Sequence, residues 1–413
     1  MSVKTRTCNR REFFSRSMAG VASLGLLGLS RSGASPLGKF GASGQKKDMV
    51  FRKLGRTGIE VPVVSMGVMN SDNPDLVRRA YELGMRHFDT AASYMRGKNE
   101  EMVGKVIKEL GVRDKVYIAT KVPKIQPPFL AQMKTEDVKV HFLQHFAKSL
   151  ERLQTDYVDM IYLHDASGPD YIRHPGFLSA MEQVKKEKRA HHTGFSIHGK
   201  MPECLNAAVQ DGFYEVILVA LNYSLGDNTK LLKSLENAAA KGIGLVAMKT
   251  QCKQDWFREF EPFDDRRFYE GEIMNTALLK WVLRHPFIAT AVPGFQTFQE
   301  LEEDLSVAYN LDYTPEEKKF LEDRNVKLAL GGVCAQCYAC TAACPRGVDI
   351  PSLMRTHMYA ACYANFHEAR TTLTGIPEGH GLDQCLSCSR CRAICARRVD
   401  IARRIDHLKV IYT

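Results

Sequence analysis

From Met49 onward, short apolar runs alternate with segments whose apolar residues recur every three or four positions. The runs are Val63–Val68, His87–Ala91, Val116–Val122, Val158–His164, His191–His198, Val216–Asn222, Gly244–Thr250 and Ile288–Phe295. Continuous runs of this kind suit strands buried on both faces. The amphipathic segments that follow them, such as Glu136–Arg152, Thr229–Lys241 and Phe298–Tyr309, suit the covering helices. Eight such units predict an α/β fold, a (β/α)8 TIM barrel, over residues 48–312. A doubly wound open sheet would want a glycine-rich turn after its first strand, and none is there. Two short stretches around Arg56-Thr57-Gly58 predict a hairpin ahead of the first unit. Gly242-Ile243-Gly244-Leu245-Val246-Ala247 imitates a dinucleotide fingerprint by letter. It follows a helix and opens a strand, the reverse of what pyrophosphate binding requires.

Composition changes this picture only at the ends of the chain. Of 413 residues, 45% are hydrophobic and 25% charged, which excludes a disordered chain. No apolar run reaches the roughly 18–20 residues of a membrane-spanning helix. The net charge is +10, but residues 1–50 carry +7 and residues 331–413 carry +4, leaving the middle at −1. The overall basicity therefore gives no reason to expect nucleic acid. In the leader, residues 1–47, Arg10-Arg11 precede the mild apolar run Met18–Leu29 and the small residues Ser32-Gly33-Ala34. That order resembles a twin-arginine export signal, a route that carries folded proteins, and predicts an extracytoplasmic protein that meets the membrane only through the signal.

Nine of the twelve cysteines lie between Cys334 and Cys395. Cys334, Cys337, Cys340 and Cys344 follow C-x2-C-x2-C-x3-C, and Cys385, Cys388, Cys391 and Cys395 repeat the spacing 51 positions later. Nine of the 17 positions in the unit are identical, including the closing Val348-Asp349-Ile350 and Val399-Asp400-Ile401, so the module is an internal duplication. Zinc sites usually set two C-x2-C pairs further apart, whereas three close cysteines wrap three corners of an iron–sulfur cubane. The spacing predicts two 4Fe–4S clusters in a small, mainly helical, ferredoxin-like domain over 334–413, after a linker at 313–333. As in two-cluster ferredoxins, the fourth ligand is expected to cross over. That pairs Cys395 with the first three cysteines and Cys344 with the second three. Ser352–Arg370 between the motifs reads as helical. Cys204 and Cys362 read as buried apolar groups, and Cys252 as a feature of the barrel rim. Arg390, Arg392, Arg397 and Arg398 either balance the thiolates or receive an acidic redox partner.

Reactive groups of a (β/α)8 barrel gather where strands end. Those ends hold Asp89, Lys121 and His164, with Tyr94 five residues past Asp89. An ammonium beside a phenol is expected to lower its pKa, a carboxylate behind it to orient the ammonium, and a histidine to hold a substrate oxygen. This chemistry suits proton donation to a carbonyl that receives a hydride.

The stretches carrying these groups resemble the aldo/keto reductases. Phe88-Asp89-Thr90-Ala91-Ala92-Ser93-Tyr94 with Gly97 and Glu100-Glu101, Ala119-Thr120-Lys121, and Ser149 to Asp159 leading into Tyr162-Leu163-His164 are similar to the family's active-site segments. Gly194-Phe195-Ser196 and Leu221-Asn222 are similar to its cofactor segments. The resemblance covers Met49–Leu311. It implies that Tyr94 is the general acid, that Lys121 and Asp89 tune it, and that His164 orients a carbonyl. It also implies a nicotinamide, NADP or NAD, over Ser196, Asn222, Met248, Lys249, Gly294, Gln296, Glu303 and Asp304. Three departures stand out. Pro293–Pro315 has no basic residue for a ribose phosphate, Met248 stands where an aromatic ring often stacks, and Leu218 stands where a glutamine often contacts the carboxamide. The expected activity is reduction of a small-molecule carbonyl, or oxidation of an alcohol, with the clusters relaying electrons. The alternative is an electron-transfer protein whose barrel binds a substrate or partner without using free NAD(P)H.

Overall fold

The computed structural model describes residues 48–251, 271–330, 334–397 and 399–413. The leader with Cys8, as well as Cys252 and Arg398, lies outside the described residues.

The chain enters through a hairpin, β1 (Phe51–Lys53) against β2 (Glu60–Pro62), joined by a tight turn at Gly55–Thr57. Gly55 has φ +54°, and a Cβ there would stand 2.3 Å from the Gly244 amide nitrogen, so only glycine fits the turn. From the hairpin, Leu54, Ile59 and Val61 pack against Ala119, Met160, Tyr162, Val216 and Val246 and close one end of the barrel interior.

Eight parallel strands form the wall in chain order: β3 (Met66–Gly67), β4 (His87–Asp89), β5 (Tyr117–Val122), β6 (Val158–Leu163), β7 (Ala190–Ile197), β8 (Val216–Ala220), β9 (Gly244–Met248) and β10 (Thr290–Ala291). Each falls inside or at the edge of one of the apolar runs. The sheet closes on itself where Val64 bridges Ala291 and the Gly67 amide donates to the Pro293 carbonyl at 2.9 Å. Closure removes both sheet edges, so every strand is hydrogen-bonded on both sides.

The covering helices are α1 (Pro74–Glu82), α2 (Lys98–Leu110), α3 (Thr135–Leu153), α4 (Pro175–Lys186), α5 (Met201–Asp211), α6 (Thr229–Ala240), α7 (Asn275–Leu283) and α8 (Phe298–Val307). In α3, Val138, Phe142, Phe146, Leu150 and Leu153 recur on one face and are buried. Each such side chain stabilises the packed wall by about 1.5–3 kcal/mol.

Two sequence expectations need correction. The stretch 313–333 is not a plain linker. It carries α9 (Pro315–Glu322) and α10 (Arg324–Leu330), whose Phe320, Leu321, Val326 and Leu330 pack on Ala277 and Leu278 of α7. A capping box, Thr314 with Glu317, starts α9, and Glu317 pairs at 2.8 Å with buried Lys280. Ser352–Arg370 is likewise not one helix. It is α11 (Ile350–His357), a π-turn at Met358–Cys362, and α12 (Phe366–Thr374). The break comes at Ala364, with φ +49°, and at Asn365, whose side chain caps α12 by accepting from the Glu368 amide.

The duplicated motifs do equivalent work in the C-terminal core. Val348 and Val399, Ile350 and Ile401 are buried together, and Asp349 and Asp400 cap α11 and α13 (Ile401–Tyr412).

Candidate active site

Lys121, near the end of β5, is buried and donates to Asp89 Oδ1 at 2.5 Å, the Thr90 carbonyl at 2.6 Å and the Tyr94 hydroxyl oxygen at 3.2 Å. These three acceptors use all three protons of an ammonium. Tyr94, as acceptor from Lys121, keeps its own hydroxyl proton for another partner. Its ring lies 4.7 Å below Lys121 Nζ and edge-on to His164, with centroids 5.6 Å apart. His164 Nδ1 is 3.3 Å from Ser93 Oγ, which leaves Nε2 for the cavity. Met95 and Arg96 both have positive φ, so the turn that carries Tyr94 runs on strained backbone. Underneath, the buried Glu100 carboxylate accepts from Thr120 and from Arg152 Nε at 2.6 Å and pins the start of α2.

Burial pushes the Tyr94 phenol well above its ordinary value, and Asp89, Glu368 and Tyr359 add to the shift. This corrects the expectation that Lys121 lowers it. The ammonium is already engaged by Asp89, and desolvation of the phenolate outweighs it. His164 is held well below its usual range by burial and by Lys121, so it is neutral at pH 7 and donates through one nitrogen only.

Asp89, Tyr94, Lys121 and His164 line one cavity at the mouth of the barrel, together with Ser196, Met248, Lys249, Gly294, Glu303 and Asp304. Asn222 and Gln296 do not line it. Asn222 accepts from Ser224 and caps a short turn, and Gln296 binds Glu300 through its amide. Leu218 faces the barrel interior. Lys249, with φ +56°, donates to the Tyr359 hydroxyl at 3.0 Å. Asp304 accepts from Gln251 and is pushed up to about 8, chiefly by burial and also by Glu300 and Glu303.

Tyr359 and Tyr363, which also line the cavity, come from the C-terminal domain. Sequence reasoning did not find them, nor His198, Asn70 or Thr250. The one signal was position, since His198 and Thr250 close the runs His191–His198 and Gly244–Thr250. The C-terminal domain is held over the mouth by a half-buried hub. Asp165, next to His164, pairs with Arg355 through two bonds of 2.9 and 3.0 Å, with His198 at 3.0 Å and with Lys124 at 3.1 Å. Asn365 donates to Asn70 at 3.0 Å, and Arg397 pairs with Asp227 at 2.8 Å. Arg355, Tyr359 and Tyr363 recur every four residues, so one helical face meets the barrel.

None of the eight motif cysteines is in a disulfide, and their electrostatic neighbours sort them into two fours. Cys334 faces Cys340 and Cys395, and Cys340 faces Cys395 and Cys337. Cys385 faces Cys344, Cys391 and Cys388. Among the described residues no three His, Cys, Asp or Glu side chains gather round a single point. A cubane, which takes one thiolate at each iron, does not need that. The donor set, all sulfur with three local ligands and one crossing, fits two clusters. A nicotinamide has a less complete cradle. Thr250 Oγ1 is buried without a partner, and a Cβ on Gly294 would meet nothing closer than 3.7 Å. Among the described residues, the cavity lining holds no arginine and its lysines, Lys121 and Lys249, stand at Tyr94 and Tyr359, so the wall with Glu303 and Asp304 fits ribose hydroxyls better than a ribose phosphate.

Residues 65–272, half of the chain, match the aldo/keto reductase family, and residues 333–400 match a 4Fe–4S dicluster domain. L-Galactose dehydrogenase of Arabidopsis thaliana is 32% identical over 294 residues, 63% of this chain and 89% of that protein. L-Glyceraldehyde 3-phosphate reductase of Escherichia coli O157:H7 is 22% identical over 326 residues, 65% of this chain and 90% of that one. A solved aldo-keto reductase from Bacillus halodurans in its holo form superposes with a TM-score of 0.53 at 20% identity, covering 68% of this chain and all of its own length. That structural likeness bears on the fold alone. The chain belongs to the aldo/keto reductase family and is an oxidoreductase that carries a 4Fe–4S dicluster domain at its C-terminal end.

Proposed function

We propose that this oxidoreductase interconverts a carbonyl and an alcohol at Tyr94, with Lys121, Asp89 and His164 in support. The observation that carries the reading is the use of the Lys121 protons. All three are engaged, so the Tyr94 hydroxyl proton and neutral His164 are the groups left to meet a substrate oxygen. His164 Nε2 donates to that oxygen and aligns it. Tyr94 gives it a proton as negative charge develops, and Lys121 stabilises the phenolate left behind. The high resting pKa of Tyr94 keeps it a full donor until that moment.

A nicotinamide, when bound, supplies or accepts the hydride. Ser196, Met248, Thr250 and Gly294 border its place, and the Glu303 carboxylate favours NAD(H) over NADP(H) by repelling a 2′-phosphate. Cys334, Cys337, Cys340 and Cys395 would hold one cluster, and Cys385, Cys388, Cys391 and Cys344 the other. Two one-electron carriers together match the two electrons of the reaction. We further propose export by the twin-arginine route, resting on Arg10-Arg11. Fractionation that leaves the protein in the cytoplasm, with both arginines intact, would remove that part.

The test is anaerobic reduction of glyceraldehyde by NADH with cluster-loaded protein. Tyr94→Phe is expected to lower turnover by about 10²–10⁴-fold at unchanged cluster absorbance. Equal turnover in the variant overturns the assignment.

A further inference from the structure

The cavity holds a second tyrosine–lysine pair, and half of it comes from the cluster domain. Lys249 Nζ donates to the Tyr359 hydroxyl at 3.0 Å and lies 4.3 Å over its ring. The first pair, Lys121 and Tyr94, has the same arrangement at 3.2 and 4.7 Å. The pairs differ in what stands behind the lysine. Lys121 has Asp89 at 2.5 Å, whereas among the described residues no carboxylate oxygen lies within 4.0 Å of Lys249. Arg355, one turn before Tyr359, is a second cation close by. Glu368, whose Oε2 is buried without a partner, and Asp165 act on Lys249 only from further away. Tyr363 offers its ring at 5.5 Å, and His198 is a neutral neighbour, pushed down to about 4 by burial.

We infer that Lys249 is a general base that removes a proton from the carbon next to the substrate carbonyl, with Tyr359 positioning its amine. The inference rests on the proposed function in one respect: Tyr94 and His164 are taken to hold the carbonyl oxygen. The step needs no oxidant or reductant. The C–H bond breaks and its proton goes to the Lys249 nitrogen. The electron pair forms a C=C bond to the carbonyl carbon, and the carbonyl π pair takes the Tyr94 proton to give an enol. Reversal returns a proton to the carbon from the Lys249 ammonium, which exchanges with solvent. The net result is α-hydrogen exchange and, at a stereocentre, epimerisation. Burial, aided by Arg355, lowers Lys249 to about 7, so a neutral amine is populated at working pH. A lysine locked to a carboxylate, as Lys121 is, cannot serve in this way.

The experiment is proton NMR of hydroxyacetone in D2O with full-length, cluster-loaded protein under anaerobic conditions and with no nicotinamide. Because no hydride carrier is present, failure of carbonyl reduction and failure of enolisation are read separately. The expected result is deuterium uptake next to the carbonyl at least tenfold faster than in buffer. That exchange is lost in Lys249→Met and in Lys249→Arg, whose guanidinium keeps the charge but cannot act as a base. Tyr359→Phe should keep part of the exchange but move its pH midpoint downward, because the ammonium loses its hydroxyl acceptor. Cluster absorbance shows whether each variant is folded. Exchange no faster than buffer, or exchange retained in Lys249→Arg, overturns the inference. The second outcome would leave Lys249 as an anchor for an anionic group.

Discussion

Lys121 and Lys249 stand on the same cavity wall, and each donates to a tyrosine, yet their surroundings differ. Lys121 sits inside the barrel with three acceptors in fixed directions, one of them Asp89. Lys249 sits at the rim, faces an aromatic pair from another domain and has a second cation, Arg355, near it. Burial lowers both lysines, but among the described residues only Lys121 has a carboxylate at bonding distance to oppose it. A buried ammonium keeps its charge where a countercharge touches it and loses its proton readily where none does.

The sharpest way to break the comparison is to make the lysines alike. Asp89→Asn leaves Lys121 buried without its partner and should destabilise the protein by about 3–5 kcal/mol in a thermal or denaturant melt. A loss under 1 kcal/mol would mean Lys121 does not depend on that carboxylate. Lys249→Met removes a charge that has, among the described residues, no carboxylate within 4.0 Å, so it should stabilise the fold by about 1–4 kcal/mol near pH 7. With its pKa lowered in the folded state, Lys249 binds fewer protons there than in the unfolded chain between about pH 7 and 10.5. Its cost is therefore full at and below pH 7 and fades as pH rises, and the gain from the variant must fade with it. A gain that does not change with pH would point to packing instead.

Smaller effects test the neighbours. Arg355→Met should cost about 1.5–3 kcal/mol, because Asp165 loses two charge-assisted bonds but keeps Lys124 and His198. Faster amide exchange confined to α11 and α12 would locate the loss. Asp304, raised to about 8 from 3.8, binds a proton in the folded state that the unfolded chain has released between those values. Its contribution is full below about pH 4 and is lost as pH rises through 8. Asp304→Asn should flatten that part of the stability curve, and an unchanged curve would show that Asp304 is ionised in the fold.

The barrel was legible because largely apolar runs mark its strands and three of the four site residues lie at or near the ends of them. Asp89, Lys121 and His164 could be placed by counting along the chain. The duplicated cysteine spacing was equally local. The roof of the cavity was not, since Arg355 and Asp165 are 190 positions apart and meet only because two domains dock. The capping signals at Thr314-x-x-Glu317 and Asn365-x-x-Glu368 were present, but apolar periodicity is weak around the first and continuous through the second. The phenol shift of Tyr94 depends on how completely it is desolvated, which no motif encodes.

The central claim is that a hydride carrier without a 2′-phosphate binds beside Tyr94, under the roof of the cluster domain. Anaerobic calorimetric titration of the cluster-loaded protein with NADH and, separately, NADPH tests this most directly. The account predicts that NADH binds, that NADPH binds at least tenfold more weakly, and that Glu303→Gln narrows the difference. Binding of neither nucleotide, or tighter binding of NADPH, would contradict it.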